Sequence, residues 1–359
     1  MKAALALVDG TVIQGEGFGA EKEVFGEVVF TTSMSGYQEG LTDPSYKGQI
    51  LMPTYPMIGN YGVNPEDYES DRIQAEGFIV RENCHIPSHR ASKMTLDQFL
   101  KKEGIPGISG VDTRALTIKI RQYGVLNGGL AVSEDDIDTA ELLEKAKNQV
   151  DYSQRDLIRE VTCSEPRHFP GKGKKVVVID CGMKLNILRS LQRRGCEVTV
   201  VPAFSTADQV LEYDPDGVLV SPGPGDPQTA PYVMETIKAL MGERPLFGIC
   251  MGHQLLALAA GGRTYKLKFG HRGANQPVKD LTTGRVYITS QNHGFAVDAE
   301  SMEGTGFEIT HLNLNDNTVE GMRHKDLPIF SIQYHPEARP GPKDADFLFD
   351  EFLNMVEGG

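Results

Sequence analysis

The sequence predicts two domains: an N-terminal α+β domain rich in short strands, and a C-terminal α/β domain built on a mostly parallel sheet. Three observations lead there. The first 150 or so residues break into brief β-branched or apolar runs separated by turn residues, with helical periodicity only later. Around residues 153–173 all periodicity is lost, and Ser164-Glu165-Pro166, Phe169-Pro170 and Gly171-Lys172-Gly173 read as a linker. Beyond it, fully apolar strands alternate with helices, the pattern of a parallel sheet covered on both faces. The expected bounds are therefore 1–152, a linker at 153–173, and 174–359.

Taken in order, residues 3–8, 11–14 and 27–31 read as strands, broken at Asp9-Gly10 and Gly26. Helices are expected at 95–103 and 112–123, stopped by Gly104 and Gly124, and at 136–150. In the second domain residues 176–179, 198–201, Gly217–Val220 and Leu246–Ile249 are apolar strands, with helices at 184–194, 232–241 and 254–260 between and after them. Residues 329–334 form another strand-like run, and a last helix spans 343–356.

The bulk numbers exclude several classes. A formal charge of −13 and a pI near 5.2 leave no basic footprint for nucleic acid or an anionic membrane surface. There is no 18-residue apolar run and no signal-peptide layout at the N-terminus, so a soluble cytoplasmic protein is expected. Five cysteines without a Cys-x-x-Cys pair fit a reducing compartment and argue against a disulfide scaffold or zinc cluster. The sequence shows no phosphate-binding loop and no acidic cluster for magnesium, so no cofactor or metal is expected on this chain.

Three segments can carry chemistry. Gly248-Ile249-Cys250-Met251-Gly252-His253 takes an apolar strand through a glycine-flanked turn directly into a helix, the cysteine counterpart of a nucleophile elbow. A helix N-terminus there favours thiolate over thiol, although a free cysteine is more often a buried, inert one. His335-Pro336-Glu337 follows a strand, and residues two apart in extended backbone share a side, so Glu337 can orient His335 as a base. By itself that tripeptide is more often a solvated turn; paired with the elbow it is not. Ser221-Pro222-Gly223-Pro224-Gly225-Asp226-Pro227 ends a parallel strand, and its glycines are the N–H donors the loop can offer an oxyanion.

Together these motifs resemble the class I glutamine amidotransferases. The rest of the chain resembles the small subunit of carbamoyl-phosphate synthetase: residues 26–46 (GEVVFTTSMSGYQEGLTDPSY), 55–60 (YPMIGN), 180–187 (DCGMKLNI) and 291–296 (QNHGFA) all fit that family. The resemblance implies a triad of Cys250, His335 and Glu337. It also implies that L-glutamine touches Ser45, Gly223, Gly225, Met251, Gln254, Asn292, Gly294 and Phe295, with Gly223 and Met251 supplying the backbone pair of the oxyanion hole. Met251 replaces a more usual Leu, and Pro222 stands where Asn is common. Both act through backbone or packing.

The same resemblance implies a glutaminase that passes ammonia to a large subunit, where bicarbonate and ATP with magnesium yield carbamoyl phosphate for arginine and pyrimidine synthesis. No synthetase domain is expected to be fused to this chain. Another class I amidotransferase is disfavoured by the N-terminal signature. A non-catalytic glutamine-binding module is disfavoured by the intact Cys250, His335 and Glu337, and a thiol protease by the pocket motifs.

Overall fold

In the computed structural model, which describes residues 1–358, strands dominate the first 155 residues and a single large sheet organises the remainder. The chain divides into two units, Met1–Arg155 and Asp156 onward.

The first unit is a closed seven-stranded barrel in the order Lys2–Leu7, Val12–Gly19, Pro106–Ser109, Gly77–Ile79, Gln49–Pro53, Lys22–Thr31 and Leu126–Ser133. The predicted β-rich α+β character is present, but closure was not expected. Three of the barrel strands are only three to five residues long, too short to show periodicity. The helices follow their caps. Leu96–Glu103 starts on a Thr95/Gln98 capping box and stops at left-handed Gly104, and Thr113–Tyr123 starts on Asp112. Phe99 and Leu100 of the first helix pack on Val29, Leu51 and Phe78 of the barrel.

In the second unit, Lys175–Asp180, Glu197–Pro202, Gly217–Val220, Leu246–Ile249 and Ile329–Ile332 form a parallel block. Successive residues of Lys175–Asp180 serve opposite cores: Val177 and Ile179 join Ile237 and Leu255, while Val176 and Val178 join Leu191, Phe349 and Phe352. Apolar character on both faces is what made these strands legible. The expectation of a mostly parallel sheet is nevertheless corrected. The ten-stranded sheet continues through Val319–His324, Phe307–Asn313, Thr264–Asp280 and Val286–Val297, and five of its nine pairings are antiparallel. These strands are only part-buried. The longest, Thr264–Asp280, alternates polar and apolar residues and contains glycines and Pro277, so it lacks the apolar signature of the block. Within the stretch read as a linker, Ile158 is fully buried in the second unit's core and Arg167–Phe169 pairs with Glu197–Pro202 as an edge strand.

Candidate active site

Four parallel strands deliver their carboxyl ends to one edge of the sheet, where open α/β folds place ligands. Cys250 follows Leu246–Ile249 and opens the helix Met251–Ala259, with its amide bonded to Ile332 O at 2.8 Å. Its backbone stands at φ 52° and ψ −103°, which a residue with a Cβ rarely adopts. Neighbouring glycines are required by space. A Cβ on Gly252 would meet Val220 O at 2.2 Å, and one on Gly248 would meet Gly252 O at 2.7 Å. The turn thus presents the sulfur at the head of a helix whose first amides, Met251 among them, have no intrahelical acceptor.

His335 is fixed by an antiparallel bridge to Ser290, its amide donating to Ser290 O at 2.9 Å. Its Nδ1 lies 2.6 Å from Glu337 Oε1, so the carboxylate holds the ring with Nε2 turned away. Nε2 makes no well-formed hydrogen bond, and the Cys250 sulfur is close enough to influence the ring's charge. Burial opposes protonation of His335, but the Glu337 carboxylate and the Cys250 sulfur outweigh it and push the imidazole up to about 10. His253, by contrast, is tied to Ser331 Oγ at 2.8 Å and lowered to about 3 by burial, so it remains neutral.

Lys184 is the residue sequence reasoning missed. Asp180 folds the chain back by accepting the amides of Gly182 and Met183 at 3.0 and 2.8 Å, and Lys184 then runs inward. Its buried ammonium lies 3.1 Å from Glu337 Oε1 and donates to Ala338 O at 2.6 Å. Burial alone would raise the Glu337 carboxyl; Lys184 first and His335 second instead hold it near 2. The motif at 180–187 was visible, but a lysine in it gives no sign that it will be buried.

This arrangement predicts the behaviour of Lys184→Met. Glu337 has a depressed folded-state pKa, so its ionisation stabilises the fold above the ordinary value of 4.5 and ceases to do so as pH falls through about 2. Without Lys184 that pKa rises, and breaking a buried pair costs about 3–5 kcal/mol. Thermal unfolding should show a large deficit at neutral pH that narrows as pH approaches 2; a deficit independent of pH would contradict the pairing.

The other predicted residues divide into groups. Gly223 is pinned against Cys181 O, which an added Cβ would meet at 2.2 Å, and Gly225 has φ 92°. Asn292 offers its carbonyl to Cys250 Sγ at 3.6 Å. Gln254 spends Nε2 on Phe295 O at 2.8 Å and Gln333 Oε1 at 3.0 Å, leaving Oε1 as its remaining polar atom. An added Cβ on Gly294 would meet Arg272 Nη2 at 3.3 Å, and Phe295 is buried. Ser45 belongs to the first unit, where Asp43 caps its turn; it is 6% exposed and its Oγ has no partner among the described residues.

Among the described residues one group is of metal-ligand type: atoms of His271, His293 and Glu320 lie within 4.8 Å of one another. His271 Nε2 is 2.8 Å from Asp316 and Nδ1 is 3.5 Å from Glu320. Burial opposes charge there, but the carboxylates prevail and push His271 up to about 9, so a protonated imidazole already serves both acids.

Residues 177–355 match the family described as glutamine amidotransferase class-I, and residues 5–130 match the carbamoyl-phosphate synthase small chain, CPSase domain. Over its whole length the chain is similar to proteins named carbamoyl phosphate synthase small chain. It is 58% identical to that of Methanocaldococcus jannaschii over 361 residues, covering 99% of each chain. It is 54% identical to that of Archaeoglobus fulgidus over 357 residues, again covering 99% of each. With that of Bacillus caldolyticus it shares 54% over 356 residues, covering 99% of this chain and 97% of the other.

Proposed function

We propose that this chain, which belongs to the carbamoyl phosphate synthase small-chain family, hydrolyses L-glutamine and hands the ammonia to a large subunit that makes carbamoyl phosphate. The observation that carries the reading is a cysteine forced into the elbow of the sheet beside a histidine held by a buried carboxylate.

The Cys250 thiolate attacks the side-chain amide carbon of glutamine, and the developing oxyanion takes the amides of Met251 and Gly223. Such donors contribute roughly 3–4 kcal/mol of transition-state stabilisation each. His335, protonated beside Glu337, gives its proton to the departing nitrogen, so ammonia leaves and a γ-glutamyl thioester remains. Water, deprotonated by His335, then attacks the thioester and releases glutamate. Gly225, Gln254, Asn292, Gly294 and Phe295 hold the glutamine; Ser45 rests on the family resemblance alone. No cofactor belongs to this chain in this scheme; ATP and magnesium act on the large subunit. Among the described residues no helix is long and apolar enough to cross a membrane, and the enzyme is read as cytoplasmic.

An electrophilic glutamine analogue tests the assignment. Burial pushes the thiol of Cys163 up to about 12 and that of Cys181 well above its usual value, which makes both poor nucleophiles. Peptide mapping should find the label on Cys250 and leave cysteines 84, 163, 181 and 196 free; equal labelling of several would remove Cys250 from its role.

A further inference from the structure

Within the barrel, the strands Lys22–Thr31, Gln49–Pro53, Gly77–Ile79 and Pro106–Ser109 are parallel neighbours, so their carboxyl ends share one rim. The segments that follow those ends enclose a concavity of about 700 Å³, with Thr32, Thr54, Arg81, Arg114, Ile118 and Arg121 in its wall. The helix Thr113–Tyr123 supplies much of it. Thr113, Leu116 and Ile120 face the core, which leaves Arg114, Thr117, Ile118 and Arg121 as a stripe on the opposite side at i, i+3, i+4 and i+7.

The charge of this rim runs against that of the molecule. The chain carries 49 acidic against 36 basic residues, and many of its other lysines and arginines pair with carboxylates. Arg81, Arg114 and Arg121 are exposed, and none of their guanidinium groups has an ion pair or side-chain hydrogen bond among the described residues. The one acid lining the concavity, Asp112, is occupied as the helix cap, accepting the Ala115 amide at 2.9 Å. Ile118, in the same wall, is 52% exposed, and Pro56, also in the wall, is flanked in the chain by Tyr55 and Met57, which are 38% and 40% exposed. Arginines around an exposed apolar side chain, with methionine and tyrosine adjacent in the chain to a wall residue, fit the composition of a protein interface.

We propose that this rim is the docking surface for the large subunit, receiving a segment whose aspartate or glutamate carboxylates pair with Arg81, Arg114 and Arg121 and whose apolar side chain packs on Ile118. The proposal rests on the large-subunit partner of the proposed function. A small anion would meet the arginines but would leave Ile118 uncovered, which favours a protein segment.

Association of the full chain with the large subunit can be followed by sedimentation or calorimetry. The double variant Arg114→Glu/Arg121→Glu should weaken it about 100-fold or more, because like charges then face each other. Ile118→Asp should weaken it separately, and added salt should weaken the wild type more than the double variant. Glutaminase activity of the lone chain and its circular dichroism should not change, since the altered residues are exposed and outside the proposed catalytic groups. Wild-type affinity in both variants would overturn the docking surface. Saturable citrate binding that the double variant loses while assembly is unaffected would overturn it in favour of a small-anion site. Failure of the wild-type chain itself to associate would overturn the partner reading and the surface together, and would be recognised because it is seen without any mutation.

Discussion

Replacing Cys250 by alanine is expected to abolish glutamine-dependent carbamoyl phosphate synthesis by the assembled enzyme while ammonia-dependent synthesis continues. Only the sulfur is removed. Alanine keeps a Cβ, so the backbone at φ 52° is held as before and the turn between Leu246–Ile249 and the following helix is not relaxed. With no nucleophile the thioester cannot form, and the remaining donors have no tetrahedral intermediate to stabilise. Parallel assays with glutamine and with ammonium salts measure both arms. Loss of both would mean that Cys250 holds the structure together and that its place at the elbow is not catalytic.

His335→Asn should lower glutaminase kcat by roughly 10²–10⁴-fold with a smaller change in KM, since a positioned acid–base contributes about that much and does not itself bind the amide. A second readout separates chemistry from structure. The folded-state pKa of His335 is raised, so its charge stabilises the fold fully below the ordinary value of 6.5 and ceases to do so as pH rises through about 10. The stability deficit of His335→Asn should therefore be largest below pH 6.5 and fade toward pH 10, as followed by thermal melts. Unchanged turnover would show that another group handles the proton.

What could be read from the sequence was whatever a local rule fixes. The glycines at 248 and 252 are dictated by backbone approaching to within 3 Å of where a side chain would begin. His335 and Glu337 do pair, but across a turn closed by the Ala338 amide on His335 O at 3.2 Å, not along the extended chain that their spacing suggested. The capping residues Thr95 and Asp112 marked their helices within a residue. What could not be read depends on partners far apart in the chain. Barrel closure rests on Lys2–Leu7 pairing with Leu126–Ser133, and the antiparallel half of the sheet on a long hairpin whose register shifts twice. Lys184 reaches Glu337 across more than half of the second unit's sequence, and no periodicity encodes that meeting. Ser45 is expected as a glutamine contact through family likeness alone; no local rule in the sequence points to it, and its Oγ is buried without a partner among the described residues.

The backbone angles of Cys250 also bear on how such a protein can change over time. A residue with a Cβ in that region costs on the order of 1–3 kcal/mol, a cost that glycine would not incur. Selection for a sturdier fold and selection for turnover therefore pull position 250 in opposite directions. A lineage relieved of the need for glutamine would lose this cysteine most readily to glycine, because that step away from the proposed catalysis is also a step toward stability. The rest of the sheet edge would remain in place, as a pocket with its shape intact and its reaction gone.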